Sequence, residues 1–274
     1  MHRFPAHGLA GLAILGGTCV LRAAGVRLAA LFWTPLLWTG YILAIDAWVY
    51  RRRGRSWLVN ERGSFAWAAL LSIPLWLVFE AYNLRLRNWE YVGLPESMIL
   101  RQIGFLWSFA TIWPAVLETA DLLLAFGLDA RGRATRLPGR GLMAIGLGGL
   151  VVPLAVPAGW GGYLFGLVWL GFALLMDPLN EQAGRSSLVG DLAVGRWGRL
   201  WSLLASGLIC GFLWESWNML AEARWVYTFP IMQQAKIFEM PLPGFLGFPA
   251  FALEIFAMYV WLCSKLHIKY YEVI

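Results

Sequence analysis

Residues 211–230 read GFLWESWNMLAEARWVYTFP, and this stretch decides how the rest of the chain is interpreted. It places a carboxylate, Glu215, and an amide, Asn218, at the end of a strongly apolar run. Trp225 and Tyr227 follow in a more polar segment. An apolar run of about 20 residues is long enough to cross a bilayer as an α-helix. The stretch therefore predicts the outer end of a membrane-spanning helix that carries an acidic group.

A related stretch lies at residues 79–95, which read FEAYNLRLRNWEYVGLP. Its Glu80, Asn83, Trp89 and Tyr91 follow the same order as the corresponding residues of the first stretch. Further pairs match at offsets of roughly 130–136 residues, among them Gly54-Arg55-Ser56 with Gly184-Arg185-Ser186 and Trp113-Pro114 with Phe248-Pro249. This shared order predicts an internal duplication, with a first repeat at residues 1–130, a basic linker at 131–140 and a second repeat at 141–274.

The composition argues against a soluble domain. The chain of 274 residues is 59% hydrophobic and only 14% charged, whereas soluble domains carry about 25% charged residues. Its apolar runs cover residues 8–21, 28–50, 64–82, 103–126, 141–157, 161–175, 200–218 and 245–264. We therefore predict an all-α polytopic membrane bundle of about eight transmembrane helices. Four helices in each half make the duplication parallel, with an axis along the membrane normal.

The first apolar run, residues 8–21, allows two interpretations. It follows a basic start and is short, as in a secretory signal peptide. The internal repeat instead favours a helix that is retained in the mature protein.

The basic residues indicate an orientation. With eight spans and both termini on one side, 15 of the 22 lysines and arginines fall in the segments on that side. Cytoplasmic loops are enriched in these residues, so we expect cytoplasmic termini and a bacterial inner membrane. The same distribution accounts for the net charge of +6 without a nucleic-acid partner.

The cysteines and histidines predict no metal and no cofactor. The three cysteines are scattered without a CxxC pair, which argues against a disulfide framework or a zinc site. All three histidines lie near the chain termini, away from the apolar runs that would hold a haem.

Carboxylates in apolar runs are the candidate catalytic groups. A charged side chain inside the hydrocarbon costs about 2.5–3.5 kcal/mol on insertion scales, so each one needs a reason. Each of the two stretches pairs its glutamate with an asparagine three residues later, on the same helix face. If these faces turn inward, the carboxylates converge between the two halves. The candidate acids are Glu80, Glu118, Glu215 and Glu254.

The amides and aromatic rings beside these glutamates are the candidate substrate contacts. Aromatic faces stabilise cations, and amides orient polar groups. An aromatic belt at the membrane interface explains the rings equally well, and the glutamates at helix ends could pair with nearby arginines. The candidate contacts are Asn83, Asn218, Trp89, Tyr91, Trp214, Trp225 and Tyr227.

The pairs Trp214-Glu215 and Phe79-Glu80, with Glu118 and Glu254 as second acids, resemble features of the integral-membrane lycopene cyclases and the small transmembrane terpene cyclases. This resemblance implies an acidic residue that protonates an olefin or epoxide while aromatic rings shelter the carbocation. The proline and paired-glutamate motif of the lycopene cyclases is absent. The chain also resembles tryptophan-rich bacterial membrane proteins with a W-E-x-W-N signature, which implies no activity.

Three functions are compatible with these features. The first is an intramembrane enzyme, cyclase- or isomerase-like, that uses its glutamates for acid/base chemistry on an isoprenoid or other lipid taken from the bilayer. The second is a transporter or channel that binds a cation or proton at the repeat interface. The third is a non-catalytic membrane subunit whose charges pair with a partner chain.

Overall fold

The computed structural model describes residues 2–270, and these residues form a bundle of α-helices with two short β-ribbons. Met1 and residues 271–274, which the predicted repeats include, lie outside the described residues. The helices are α1 (Ala6–Ala23), α2 (Arg27–Leu31), α3 (Trp33–Arg53), α4 (Trp57–Asn60), α5 (Arg62–Leu86), α6 (Met98–Ala125), α7 (Gly139–Ala155), α8 (Ala158–Gln182), α9 (Leu188–Ala193), α10 (Gly198–Leu220) and α11 (Gly247–Lys265). The strands are β1 (Trp89–Val92), β2 (Arg224–Tyr227), β3 (Lys236–Ile237) and β4 (Met240–Pro241), and a 3₁₀-helix (Leu242–Leu246) precedes α11.

Several helices have the length and composition of membrane spans. Within residues 2–270, five segments are long and apolar enough to cross a bilayer: Ala6–Ala23, Arg62–Leu86, Met98–Ala125, Gly159–Gln182 and Leu242–Lys265. The outside of the bundle exposes large apolar side chains such as Leu70, Leu77 and Ile145. In water such a surface would favour aggregation, whereas lipid accommodates it. The structure therefore confirms the predicted helical, membrane-type architecture.

The helices of each half pack in the same order. The helix α3 contacts both α1 and α6, and α8 contacts both α7 and α11. A Cβ atom added to Gly11 of α1 would lie 2.6 Å from the carbonyl oxygen of Gly40 in α3. The same test on Gly146 of α7 gives 2.7 Å to the carbonyl oxygen of Gly171 in α8. Both pairs therefore cross at a glycine contact, which lets membrane helices approach closely.

An aspartate near the end of α3, and another near the end of α8, each hold the short helix that follows. Asp46 of α3 accepts hydrogen bonds from the Leu58 backbone N–H at 2.9 Å and the Ser56 hydroxyl at 2.8 Å. Asp177 of α8 accepts from the backbone N–H groups of Leu188 and Val189, each at 2.8 Å. These contacts satisfy N–H groups that the first turn of a helix leaves unpaired. The two aspartates thereby position α4 and α9 alike.

The segments after α5 and α10 pair with each other as an antiparallel ribbon of β1 and β2. Trp89 lies opposite Tyr227, and Tyr91 lies opposite Trp225. The prediction of an all-α bundle does not include these strands, although the alternation Trp-x-Tyr is typical of a strand. The all-α description is therefore corrected at this point, because the strands come from opposite halves and pair only in three dimensions.

Candidate functional site

The β1–β2 ribbon is attached to the bundle by two asparagines in equivalent positions. Asn83 donates its amide to the Trp89 carbonyl oxygen at 2.8 Å and accepts from the Trp89 N–H at 3.2 Å. Asn218 donates to the Trp225 carbonyl oxygen at 2.8 Å and accepts from the Trp225 N–H at 3.0 Å. Each asparagine therefore acts as a backbone mimic that holds the first part of a strand beside its helix.

Glu80 accepts hydrogen bonds from three aromatic side chains. The hydroxyl of Tyr91 donates to Glu80 Oε1 at 2.6 Å, and the indole N–H groups of Trp76 and Trp89 donate at 2.8 and 3.3 Å. Trp76 lies one helical turn before Glu80, so the helix itself brings that pair together. The carboxyl group is thereby fixed behind the rings that surround it.

Glu215 has a matching arrangement and is fully buried. The hydroxyl of Tyr227 donates to Glu215 Oε1 at 2.7 Å. The indole N–H of Trp225 is shared between Glu215 Oε1 at 3.4 Å and the Tyr227 hydroxyl oxygen at 2.9 Å. Hydrogen bonds to a carboxylate are stronger than those between neutral groups, so both glutamates orient their tyrosines firmly.

The two tyrosines keep their hydroxyl protons over a wide pH range. Burial raises the pKa of Tyr91 well above its ordinary value of 10.0, and the Glu80 carboxylate raises it further. Burial and the Glu215 carboxylate act in the same direction on the pKa of Tyr227. Both phenols are therefore neutral hydrogen-bond donors at physiological pH.

Under the ribbon lies a cavity of about 350 Å³. This volume is at the lower end of the range for small-molecule sites, about 300–1,000 Å³. Helices α3, α5, α6, α8, α10 and α11 all contribute to its walls. Nearly half of the lining residues are aromatic and they come from both halves, among them Trp38, Trp76, Trp89, Tyr91, Phe105, Phe109, Trp169, Trp214, Trp225, Tyr227 and Phe251.

The aromatic rings contact one another across the boundary between the halves. Trp76 of α5 lies 5.7 Å from Trp214 of α10 and 5.8 Å from Phe251 of α11, between ring centroids. Phe79 stacks on Trp169 of α8 at 5.0 Å. Aromatic pairs at these separations add about 0.5–1.5 kcal/mol beyond the area that they bury. The rings therefore form one continuous wall.

Among the sequence candidates, five side chains meet in this cavity: Trp89, Tyr91, Trp214, Trp225 and Tyr227. Glu80 and Glu215 lie directly behind them. Asn83 and Asn218 do not line the cavity, because their amides bind the ribbon backbone.

Glu118 and Glu254 lie elsewhere in the bundle. Both are fully buried, and neither lines the cavity. The acidic side chains close enough to interact electrostatically with Glu118 are Asp46 and Asp121. Asp121 forms a salt bridge with Arg53 near the end of α3. Hydrogen bonds within residues 2–270 join none of the four glutamates to one another. The prediction that all four carboxylates converge is therefore wrong. Glu80 and Glu215 reach the ribbon, whereas Glu118 and Glu254 face neighbouring helices.

Sequence reasoning missed the side chains that complete the cavity. Trp76 precedes Glu80 by four residues, a spacing that indicates contact on a helix. Trp38, Trp169 and Arg101 come from three other helices, and only the packing of those helices brings them to one place.

The fold and the cavity define a helical membrane-type protein with a cavity rich in aromatic side chains. Comparison with protein-family models, curated proteins and solved structures found no match for this chain.

Proposed function

We propose that the chain is an internal duplication of a four-helix unit. The equivalent glycine crossings, the equivalent aspartates and the repeated order of elements support this proposal. The ribbon register supports it as well, because a two-fold axis through the ribbon exchanges Trp89 with Trp225 and Tyr91 with Tyr227. Such an axis requires each tryptophan to lie opposite the other half's tyrosine, as it does.

We propose further that the eight described helices of 17 or more residues all cross the bilayer; these are α1, α3, α5, α6, α7, α8, α10 and α11. The helices α3 and α10 have 21 and 23 residues, which is long enough to span although they carry charged groups. The helix α7 is apolar and has 17 residues, at the lower limit. The arginine-rich segments then lie on one side, which supports cytoplasmic termini in a bacterial inner membrane.

The function that the site supports best is binding and acid/base conversion of an isoprenoid or other lipid. The observation that carries this proposal is the aromatic cavity in which two tyrosine hydroxyls each donate to a buried or half-buried glutamate. An apolar molecule gains its affinity from the rings. The tyrosines provide two positioned proton-transfer groups in an otherwise apolar wall.

In this proposal the roles of the residues differ from those suggested by the family resemblance. Tyr91 and Tyr227 touch the lipid and relay protons between it and the glutamates. As a phenol oxygen takes a proton from the lipid, its own hydroxyl proton passes to Glu80 or Glu215, and the reverse shift returns a proton to the lipid. The rings of Trp76, Trp169 and Trp214 stabilise positive charge that develops on the lipid. A cyclase- or isomerase-like reaction on an olefin fits these groups. Glu118 and Glu254 stay predicted acids without contact to the cavity.

A cation transporter has less support from the site. Such a protein needs several oxygen ligands around one point, whereas the four glutamates are separate and the cavity wall is rich in aromatic and other apolar side chains. A purely structural subunit does not require a ligand-sized cavity.

The experiment compares lipid extracts of cells that produce the wild-type protein with extracts from cells that produce the Tyr91→Phe/Tyr227→Phe variant. The proposal predicts that a precursor accumulates, or a product disappears, in the variant. Identical lipid profiles with both proteins present at equal levels would contradict it.

A further inference from the structure

Within residues 2–270, Arg101 is the single charged residue among the side chains that line the aromatic cavity. It lies in the first turn of α6, at the end of the bundle that the charge distribution places outside. Arginines are not required there for orientation, because the positive-inside rule concerns cytoplasmic segments. Its position beside an apolar cavity therefore needs another explanation.

The guanidinium of Arg101 has unused hydrogen-bonding capacity. Its Nη2 donates to the Pro95 carbonyl oxygen at 3.0 Å, which fixes the direction of the side chain. Its Nε is buried and has no hydrogen-bond partner within residues 2–270. Buried donors are normally satisfied, and one without a partner carries an uncompensated desolvation cost. A ligand with an acceptor at this point would remove that cost.

A second cavity-lining group has the same property. Thr34 is 8% exposed, and its hydroxyl has no hydrogen-bond partner among the described residues. No carboxylate from the described part of the chain lines the cavity; Glu80 and Glu215 stand behind the tyrosine hydroxyls. The lining therefore carries one positive charge, and an anionic group is its complement.

We propose that the cavity binds a single-chain lipid that carries a carboxylate or phosphate group at one end, and that Arg101 binds this group. This inference rests on the proposed function and specifies its substrate class. The chain of the lipid packs against the tryptophans, and its anionic end accepts from the guanidinium, which suits planar oxygen anions. A pure hydrocarbon such as a carotene would leave the guanidinium unpaired.

Three probes with one isoprenoid chain test the head group: farnesyl phosphate, farnesoic acid and farnesol. Each is titrated into the detergent-solubilised protein, and binding is followed by the fluorescence of the cavity tryptophans. The variants are Arg101→Gln and, as a matched control, Arg85→Gln. Arg85 also donates Nη2 to a backbone carbonyl, that of Val156 at 3.0 Å, but does not line the cavity.

We expect the wild type and Arg85→Gln to bind at least one anionic probe more tightly than farnesol. Arg101→Gln should weaken that binding about tenfold or more, with farnesol unchanged, as loss of a charged hydrogen bond predicts. Whether the phosphate or the carboxylate probe binds more tightly identifies the head group. The inference is overturned if Arg101→Gln binds the anionic probes as tightly as the wild type does. It is also overturned if the wild type binds farnesol as tightly as the anionic probes. Either result leaves the cavity proposal intact. If wild type binds none of the probes, the inference is also wrong, and the proposed function is then decided separately by the lipid extracts.

Discussion

Tyr91 donates its hydroxyl hydrogen to Glu80 over 2.6 Å. The corresponding bond in the second half, from Tyr227 to Glu215, measures 2.7 Å. Two equivalent tyrosine–glutamate pairs thus meet the same cavity from opposite strands of one ribbon. The chemistry proposed for the protein depends on these two hydroxyls.

Removing the hydroxyls should stop conversion and leave binding intact. In the Tyr91→Phe/Tyr227→Phe variant the rings still fill their places, so lipid should still co-purify. Positioned general acids and bases contribute typically about 10²–10⁴-fold, and conversion in cells should fall on that scale. Tyr163→Phe is the matched control, because Tyr163 also lines the cavity but is half exposed. Loss of conversion in the control alone would show that the tyrosine–glutamate pairs are not the reacting groups.

Replacing a buried carboxyl group should destabilise the protein according to the hydrogen bonds that are lost. Glu215→Leu leaves the Tyr227 hydroxyl without its acceptor in a buried place, which costs about 1–3 kcal/mol. Glu215→Gln retains an acceptor oxygen and should cost less. Thermal unfolding of the purified variants in one detergent measures the difference. Equal stability of the leucine and glutamine variants would show that this hydrogen bond contributes nothing.

High pH should weaken the fold through the two tyrosines. Their pKa values are raised in the folded protein, so they keep their protons above 10.0 while the unfolded chain releases them. The contribution of these two tyrosines to the free energy of unfolding is therefore fully present below about pH 10. It falls as the pH rises, by at most about 1.4 kcal/mol per pH unit for each tyrosine. Chemical unfolding measures the free energy of unfolding between about pH 9 and 11, the range in which free tyrosine titrates. This free energy should fall less steeply with pH in the double phenylalanine variant than in the wild type. An equal decline of the free energy of unfolding in both proteins would show that Tyr91 and Tyr227 do not cause the loss of stability at high pH.

The asparagines should control the ribbon rather than the ligand. Asn218→Leu removes both hydrogen bonds to Trp225, whereas Asn218→Asp retains the acceptor for its N–H. Hydrogen exchange of the Trp225 amide should be about five- to thirtyfold faster in the leucine variant, since each of the two lost bonds is worth about 1 kcal/mol. An unchanged exchange rate would mean that the strand is held by its pairing with β1 alone.

The sequence predicted the helices well because bilayer thickness dictates the length of apolar runs. The predicted run at 200–218 became α10 (Gly198–Leu220), and 64–82 became α5 (Arg62–Leu86). The run at 161–175 was too short, because α8 continues through the polar segment around Asp177 to Gln182. Hydropathy does not register a helix that continues beyond the hydrocarbon region.

The candidate site was only partly predictable. The repeat identified Glu80, Glu215 and their tyrosines as notable, because rare residue types recurred in order. It did not place Glu118 and Glu254 away from them, since depth and facing direction depend on helix packing. Arg101 resembled any other arginine in the sequence, and only its position at the cavity distinguishes it.

Occupancy of the cavity is the central claim, and one glycine tests it directly. A Cβ atom added to Gly166, which lines the cavity, meets no atom within 4 Å, so Gly166→Leu fills space without a clash at that atom. Gly148 of α7 is equally free of close neighbours but lies outside the cavity, which makes Gly148→Leu the control. The measurement is mass spectrometry of lipids that co-purify with each variant. We predict one enriched lipid with wild type and Gly148→Leu that is depleted with Gly166→Leu. The same lipids in the same amounts from all three proteins would contradict a ligand in the aromatic cavity.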